Sequence, residues 1–177
     1  MVGALLAQLT ICALRPSRGL STVKMQALAM AELPVVDAAG GKVDLMQAAA
    51  GKRVALYYTA GWCPMCRSFE PALDAFLSKN DDVYPIMVSS DRSASDASQR
   101  AKALGMPMVQ YDVVDALKQK HQVWAGSESM KLGFGRRSGV PALVVVDAEG
   151  EEVAFVDAER RGAGALDKWP KDIGRWP

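Results

Sequence analysis

Cys63 and Cys66, in the stretch Trp62-Cys63-Pro64-Met65-Cys66, are the residues of this chain best placed to do chemistry. A dithiol at this spacing can close to a disulfide and reopen, moving two electrons by thiol–disulfide exchange. The thiolate is the reactive form. A helix start favours that form, because its first backbone N–H groups are unpaired and the helix dipole is positive there. Other uses of the pair fit less well. A structural bridge across so small a loop would restrain the unfolded chain little. Packing as small hydrophobes gives no reason for a helix-start position. Tetrahedral zinc needs four ligands, whereas the chain has no second Cys-x-x-Cys and His121 is its only histidine, so no metal is expected.

The flanking residues supply the elements that must position the thiols. Val54-Ala55-Leu56-Tyr57-Tyr58 is short, apolar and bulky, which predicts a buried strand. Phe69, Leu73, Phe76 and Leu77 recur at helical spacing after the second cysteine. Pro64 suits the first helical turn, where its missing N–H costs nothing, and Pro71 is expected to kink the same helix. Val83 to Ser89 predicts a second strand, although Pro85 lacks a ladder donor. Ser90-Asp91-Arg92-Ser93 opens a helix to about Leu104, with Ser90 or Asp91 as its N-cap. Further on, the sequence predicts a helix over 113–122, mostly loop over Ala125–Gly139, a strand over 141–146 pairing antiparallel with 153–156, and a final helix over Ala163–Trp169. Strands and helices in this order predict an α/β fold with a mixed central sheet flanked by helices. In open α/β sheets, sites lie beyond the carboxyl ends of strands, which would bring Asp91 and Arg92 near Cys63.

Bulk properties narrow the function. The chain has 177 residues, half of them hydrophobic, with a formal net charge of +1, which fits one domain with a sizeable core. Its charges are interspersed rather than gathered on a basic face, so no nucleic-acid partner is expected. No apolar run reaches the roughly 18 residues of a membrane span, so no membrane partner is expected either. Residues 1–31 differ from the rest: they hold Arg15, Arg18 and Lys24 but no acid, and also contain Cys12. This stretch is expected to be an organelle transit peptide or a disordered leader, with Met25 and Met30 as alternative starts, and residues 32–177 the folded domain. A secretory signal fits less well, since no positive charge precedes the apolar run 2–14. The localisation expected is cytoplasmic or mitochondrial/organellar.

Several segments together resemble the thioredoxin superfamily and, within it, the tryparedoxin and nucleoredoxin group. They are 51–58, Trp62-Cys63-Pro64-Met65-Cys66-Arg67, Phe69-Glu70-Pro71, Val88-Ser89-Ser90-Asp91-Arg92, and Gly139-Val140-Pro141-Ala142-Leu143 before 147–150. They follow the family order and cover roughly residues 33 to 170. The resemblance implies a thioredoxin-like fold in which Cys63 attacks and Cys66 resolves. It implies that Trp62 shields the pair and touches substrate, and that Pro141 is a cis-proline facing the cysteines. Val140 would then offer its backbone to an extended substrate, as in strand addition. Asp91, Arg92 and Arg67 are candidate modulators. The resemblance has departures. Tyr57 stands where many thioredoxins carry a buried aspartate, leaving the proton acceptor for Cys66 unassigned. Met65 replaces the usual proline or glycine, and Ala142 the usual threonine.

The function expected is a monomeric protein-disulfide reductase. Its redox-active Cys63–Cys66 disulfide would serve in place of any cofactor, consistent with there being no Gly-x-Gly-x-x-Gly after a strand. Disulfide-containing proteins would be its substrates, and an upstream thiol reductase or a low-molecular-weight thiol its electron source. Two alternatives stand beside it: a glutathione-dependent, glutaredoxin-like reductase, and a redox-sensitive, nucleoredoxin-like binding module. The module would use the 125–139 loop and the Trp169/Trp176 tail to dock a partner. His121 is expected to be structural.

Overall fold

The computed structural model describes residues 30–171 and 174–177. The leader expected over residues 1–31 therefore lies outside the described residues, apart from Met30 and Ala31; Met30 is buried in the core. Six strands form one mixed sheet in the order β1-β4-β3-β2-β5-β6. They are β1 (Val35–Val36), β2 (Arg53–Thr59), β3 (Val83–Ser89), β4 (Met108–Val109), β5 (Ala142–Val146) and β6 (Glu152–Val156). β2 runs parallel to β3 and antiparallel to β5, with Tyr57 opposite Met87 on one side and Leu143 on the other. β6 pairs antiparallel with β5, and β1 with β4.

The sheet is covered on both faces, so β2 and β5 are buried throughout rather than alternating. Side chains of a strand alternate between faces, and β2 divides accordingly. Val54, Leu56 and Tyr58 join one core with Leu45 of α1 (Leu45–Ala48) and Val114 and Leu117 of α4 (Val114–His121). Ala55 and Tyr57 join the other, with Phe69 and Leu73 of α2 (Pro64–Leu77) and Ala97 and Ala101 of α3 (Ala94–Leu104). Pro85 fits within β3 because the neighbour on its far side, β4, pairs with β3 only through Met87 and Met108. The segment around Pro85 therefore has no ladder to complete on that side.

Two local expectations are corrected and a third is refined. The N-cap of α3 is Ser93, whose hydroxyl accepts from the Asp96 N–H, rather than Ser90 or Asp91. The segment 125–139 is mostly loop, as expected, but its first half is ordered into short helical turns. It starts with a 3-10 turn, Gly126–Glu128, which leads into α5 (Ser129–Leu132). Glu128 fastens this turn by pairing with the buried Lys118 ammonium at 2.5 Å and accepting the Ala125 N–H. The final helix begins earlier than 163, as α6 (Ala158–Arg161), capped by the Asp157 carboxylate. It passes into a 3-10 stretch, Gly162–Lys168, at Gly162, whose φ of 53° interrupts the α-helix.

The tail is also placed differently from expectation. Trp169 and Trp176 are buried, so they offer no docking surface. Trp176 donates its indole N–H to the Val146 carbonyl and exchanges backbone hydrogen bonds with Gly51 and Lys52.

Candidate functional site

β2 ends at Thr59, and a three-residue turn, Ala60-Gly61-Trp62, delivers the chain to Cys63. The turn is held at several points. The Asp91 carboxylate accepts the Gly61 N–H at 2.8 Å, and the Arg67 guanidinium donates to the Gly61 carbonyl at 3.1 Å. Trp62 donates its indole N–H to the Ser90 carbonyl at 3.0 Å. Asp91 is itself held by the Ser89 hydroxyl, and Tyr111 donates to its carbonyl. The ends of β2 and β3 thus meet as the sheet topology requires. Asp91 braces the turn before the first cysteine, and the turn's carbonyl is satisfied by a residue of the helix that follows.

Cys63 is the N-cap of α2, with Pro64 at its first position. The Cys63 sulfur accepts the Cys66 N–H at 3.4 Å and donates its own S–H to the Val140 carbonyl at 3.6 Å. A cysteine sulfur thus takes the capping position more often filled by a serine or aspartate oxygen. Both described cysteines are free thiols. Cys63 is 6% exposed and Cys66 is fully buried one turn inward. Burial pushes the Cys66 thiol up to about 12, and the hydrogen bond to Cys63 adds in the same direction.

Val140 and Pro141 reach the cysteines from the start of β5, and the Val140–Pro141 peptide bond is cis. Trp62 and Met65 stand exposed around the pair, at 38% and 47%. Pro64 and Arg67 are exposed as well. Arg92 is also exposed and, among the described residues, makes no ion pair. It lines a depression of about 490 Å³ with Gly61, Trp62, Asp91 and Arg100. Arg100 bridges from α3 to Glu70 of α2.

Tyr57 is fully buried beneath the pair, its ring 6.1 Å from Phe69. Burial raises its phenol further above the ordinary tyrosine value, so the hydroxyl is neutral and a poor proton acceptor. Its oxygen and the Thr59 hydroxyl are both enclosed without a hydrogen-bond partner among the described residues.

All ten candidate residues lie in or around this one end of the sheet, although Arg67 and Asp91 act on the turn rather than on either sulfur. His121 is remote from it. Its buried ring packs edge-on against Tyr58 and faces Glu152, and burial holds its pKa below the usual histidine value. The sequence did not single out Thr59 or Glu159, and it offered Ser90 only as a helix cap. The only signal for Thr59 was its position at the end of β2. Among the described residues no cluster of His, Cys, Asp or Glu could hold a metal, and no helix is long and apolar enough to cross a membrane.

Comparison with known proteins places this geometry among relatives. A family model described as thioredoxin-like matches residues 51–152. The tryparedoxin of Trypanosoma brucei brucei is 30% identical over 132 residues, spanning 68% of this chain and 81% of that protein. Thioredoxin from Wuchereria bancrofti superposes with a TM-score of 0.60 at 28% identity, over 80% of this chain and 90% of that one. Tryparedoxin II from C. fasciculata shares the fold at a TM-score of 0.60 and 21% identity, over 86% and 96% of the two chains.

Proposed function

Since this chain belongs to the thioredoxin-like family, in its tryparedoxin-like group, we propose that it is a thiol–disulfide oxidoreductase that reduces protein disulfides through Cys63 and Cys66. The observation that carries the reading is the setting of the Cys63 sulfur. It caps a helix, receives the Cys66 N–H, and lies against the Val140 backbone. The Cys66 N–H contact strengthens when the sulfur is charged, because hydrogen bonds to ionised acceptors are stronger.

In the first step the Cys63 thiolate attacks one sulfur of the substrate disulfide. A mixed disulfide forms and one substrate thiolate leaves. Cys66 then loses its proton and attacks the Cys63 sulfur. The Cys63–Cys66 disulfide forms and the second substrate thiolate leaves. Two electrons pass to the substrate, and the two thiol protons end on its two thiolates. The high Cys66 value keeps this sulfur protonated and idle until the mixed disulfide exists. Tyr57, a neutral phenol, serves as a wall rather than a base, and the departing thiolate is the acceptor for the Cys66 proton. An upstream dithiol or two small thiols then reduce the pair again.

The test is turnover of a protein disulfide with dithiothreitol as the electron source. The Cys63→Ser variant should abolish it, and the Cys66→Ser variant should accumulate mixed disulfides visible by mass spectrometry. If Cys66 alkylates before Cys63 at neutral pH, the roles are reversed.

One observation favours a second reading, the redox-sensitive binding module. Met130 and Phe134 stand exposed on the 125–139 segment. Stable partner binding that changes with oxidation, at negligible turnover, would select it.

A further inference from the structure

Behind the Val140 backbone lies a polar clamp that the thiol chemistry itself does not require. The Glu159 carboxylate, on α6, accepts the Gly139 N–H at 2.5 Å and the Ser138 hydroxyl at 3.4 Å. Its second oxygen faces the Arg136 guanidinium at 3.8 Å, and that guanidinium donates to the Trp124 carbonyl. The next residue of α6, Arg160, donates to the Arg137 carbonyl at 3.3 Å. Two consecutive residues of one short, capped helix therefore hold three consecutive residues of the loop that ends at Val140. A β-carbon at Gly139 would fall on the ends of two flexible side chains, the Glu159 carboxylate and the Arg136 guanidinium, and push them aside.

We propose that Glu159 is a positioning residue for substrate: by holding the Gly139 N–H it sets the pose of the Val140 backbone, against which an extended disulfide-bearing segment pairs. The inference rests on the oxidoreductase reading above and adds a residue to it. Main-chain pairing to an extended peptide depends on where the receiving N–H and C=O groups point. The Val140 carbonyl already meets the Cys63 sulfur, so the same backbone both receives the peptide and aligns it with the nucleophile. A shift of this backbone costs binding of an extended substrate. It costs little with a small disulfide, which has no peptide groups to align.

The experiment compares insulin, whose disulfides lie on peptide segments, with 5,5′-dithiobis(2-nitrobenzoate), which offers no backbone. Glu159→Ala should raise KM for insulin about tenfold with kcat within about twofold, the size expected for losing one charge-assisted hydrogen bond. The rate with the small disulfide should fall by less than about twofold in the same variant. Glu159→Gln keeps an acceptor oxygen for the Gly139 N–H and should restore KM to within about threefold. If near-ultraviolet circular dichroism shows Glu159→Ala to be misfolded, Gly139→Ala must show the same split, since its methyl group displaces the carboxylate. Parallel losses on both substrates in a folded variant, or no loss on either, overturn the positioning role alone. A wild-type protein that reduces neither substrate sinks the oxidoreductase reading first and this inference with it.

Discussion

Six per cent exposure against none separates the two sulfurs of the site, and that small difference divides their work. The outer sulfur can meet a substrate, whereas the inner one can meet only its neighbour. Burial holds the Cys66 thiol near 12, well above the roughly 8.5 of an exposed cysteine. The consequence for stability has a definite sign. A folded-state value above the unfolded one means that the folded form holds its proton more tightly. The stabilisation is complete below about pH 8.5 and is lost as pH rises toward the folded value. Urea unfolding between pH 8 and 10.5 should therefore show the wild type losing about 2 kcal/mol more than Cys66→Ala. Equal slopes would mean that Cys66 is not held as a neutral thiol. At this scale the sequence was informative for the cysteines, because helix-start chemistry follows from local spacing. It was uninformative for Glu159, whose partner Gly139 lies twenty residues away along the chain and gives no local pattern.

The turn before Cys63 and the clamp behind Val140 show what short elements contribute. β2, α2, β3 and α3 were legible because each is long enough to show a hydrophobic run or a helical period. β4, with two residues, has no period to show. The segment 125–139 looked like loop from its glycines and serines, yet its first turns are fixed by a pair that sequence spacing does not announce. Lys118 on α4 has a side chain only 2% exposed, and Glu128 answers it. Removing one member of such a pair strands a buried charge and costs about 3–5 kcal/mol. Glu128→Ala should accordingly lower stability by about 3 kcal/mol in urea unfolding. Lys118→Met, which removes the charge and keeps an apolar stem, should cost less than about half of that. If both cost the same, the bridge is not what holds α5 in place. The early start of α6 has a similar origin: the Asp157 cap and the Gly162 backbone define it, and neither carries an apolar period.

Viewed as one body, the molecule is a sheet with chemistry at one end and a seal at the other. Cys63 follows the carboxyl end of β2, whereas Trp176 and Arg175 close over the start of that strand. Arg175 and Arg53 share the Asp82 carboxylate, and Trp176 fills the space beside Val146. The closing aromatic is core, and Trp176→Ala should cost about 3–5 kcal/mol. The thermal midpoint should fall by roughly ten degrees for a domain of this size. A change of under about two degrees would show the seal to be ornamental. The seven residues of β2 put roughly 20 Å between the two ends. That separation makes the Arg175–Trp176 pole a convenient handle. An affinity tag, a surface anchor or a fused partner attached after Pro177 would leave from the pole opposite the thiols, so the immobilised protein would present its sulfurs to the bulk solution.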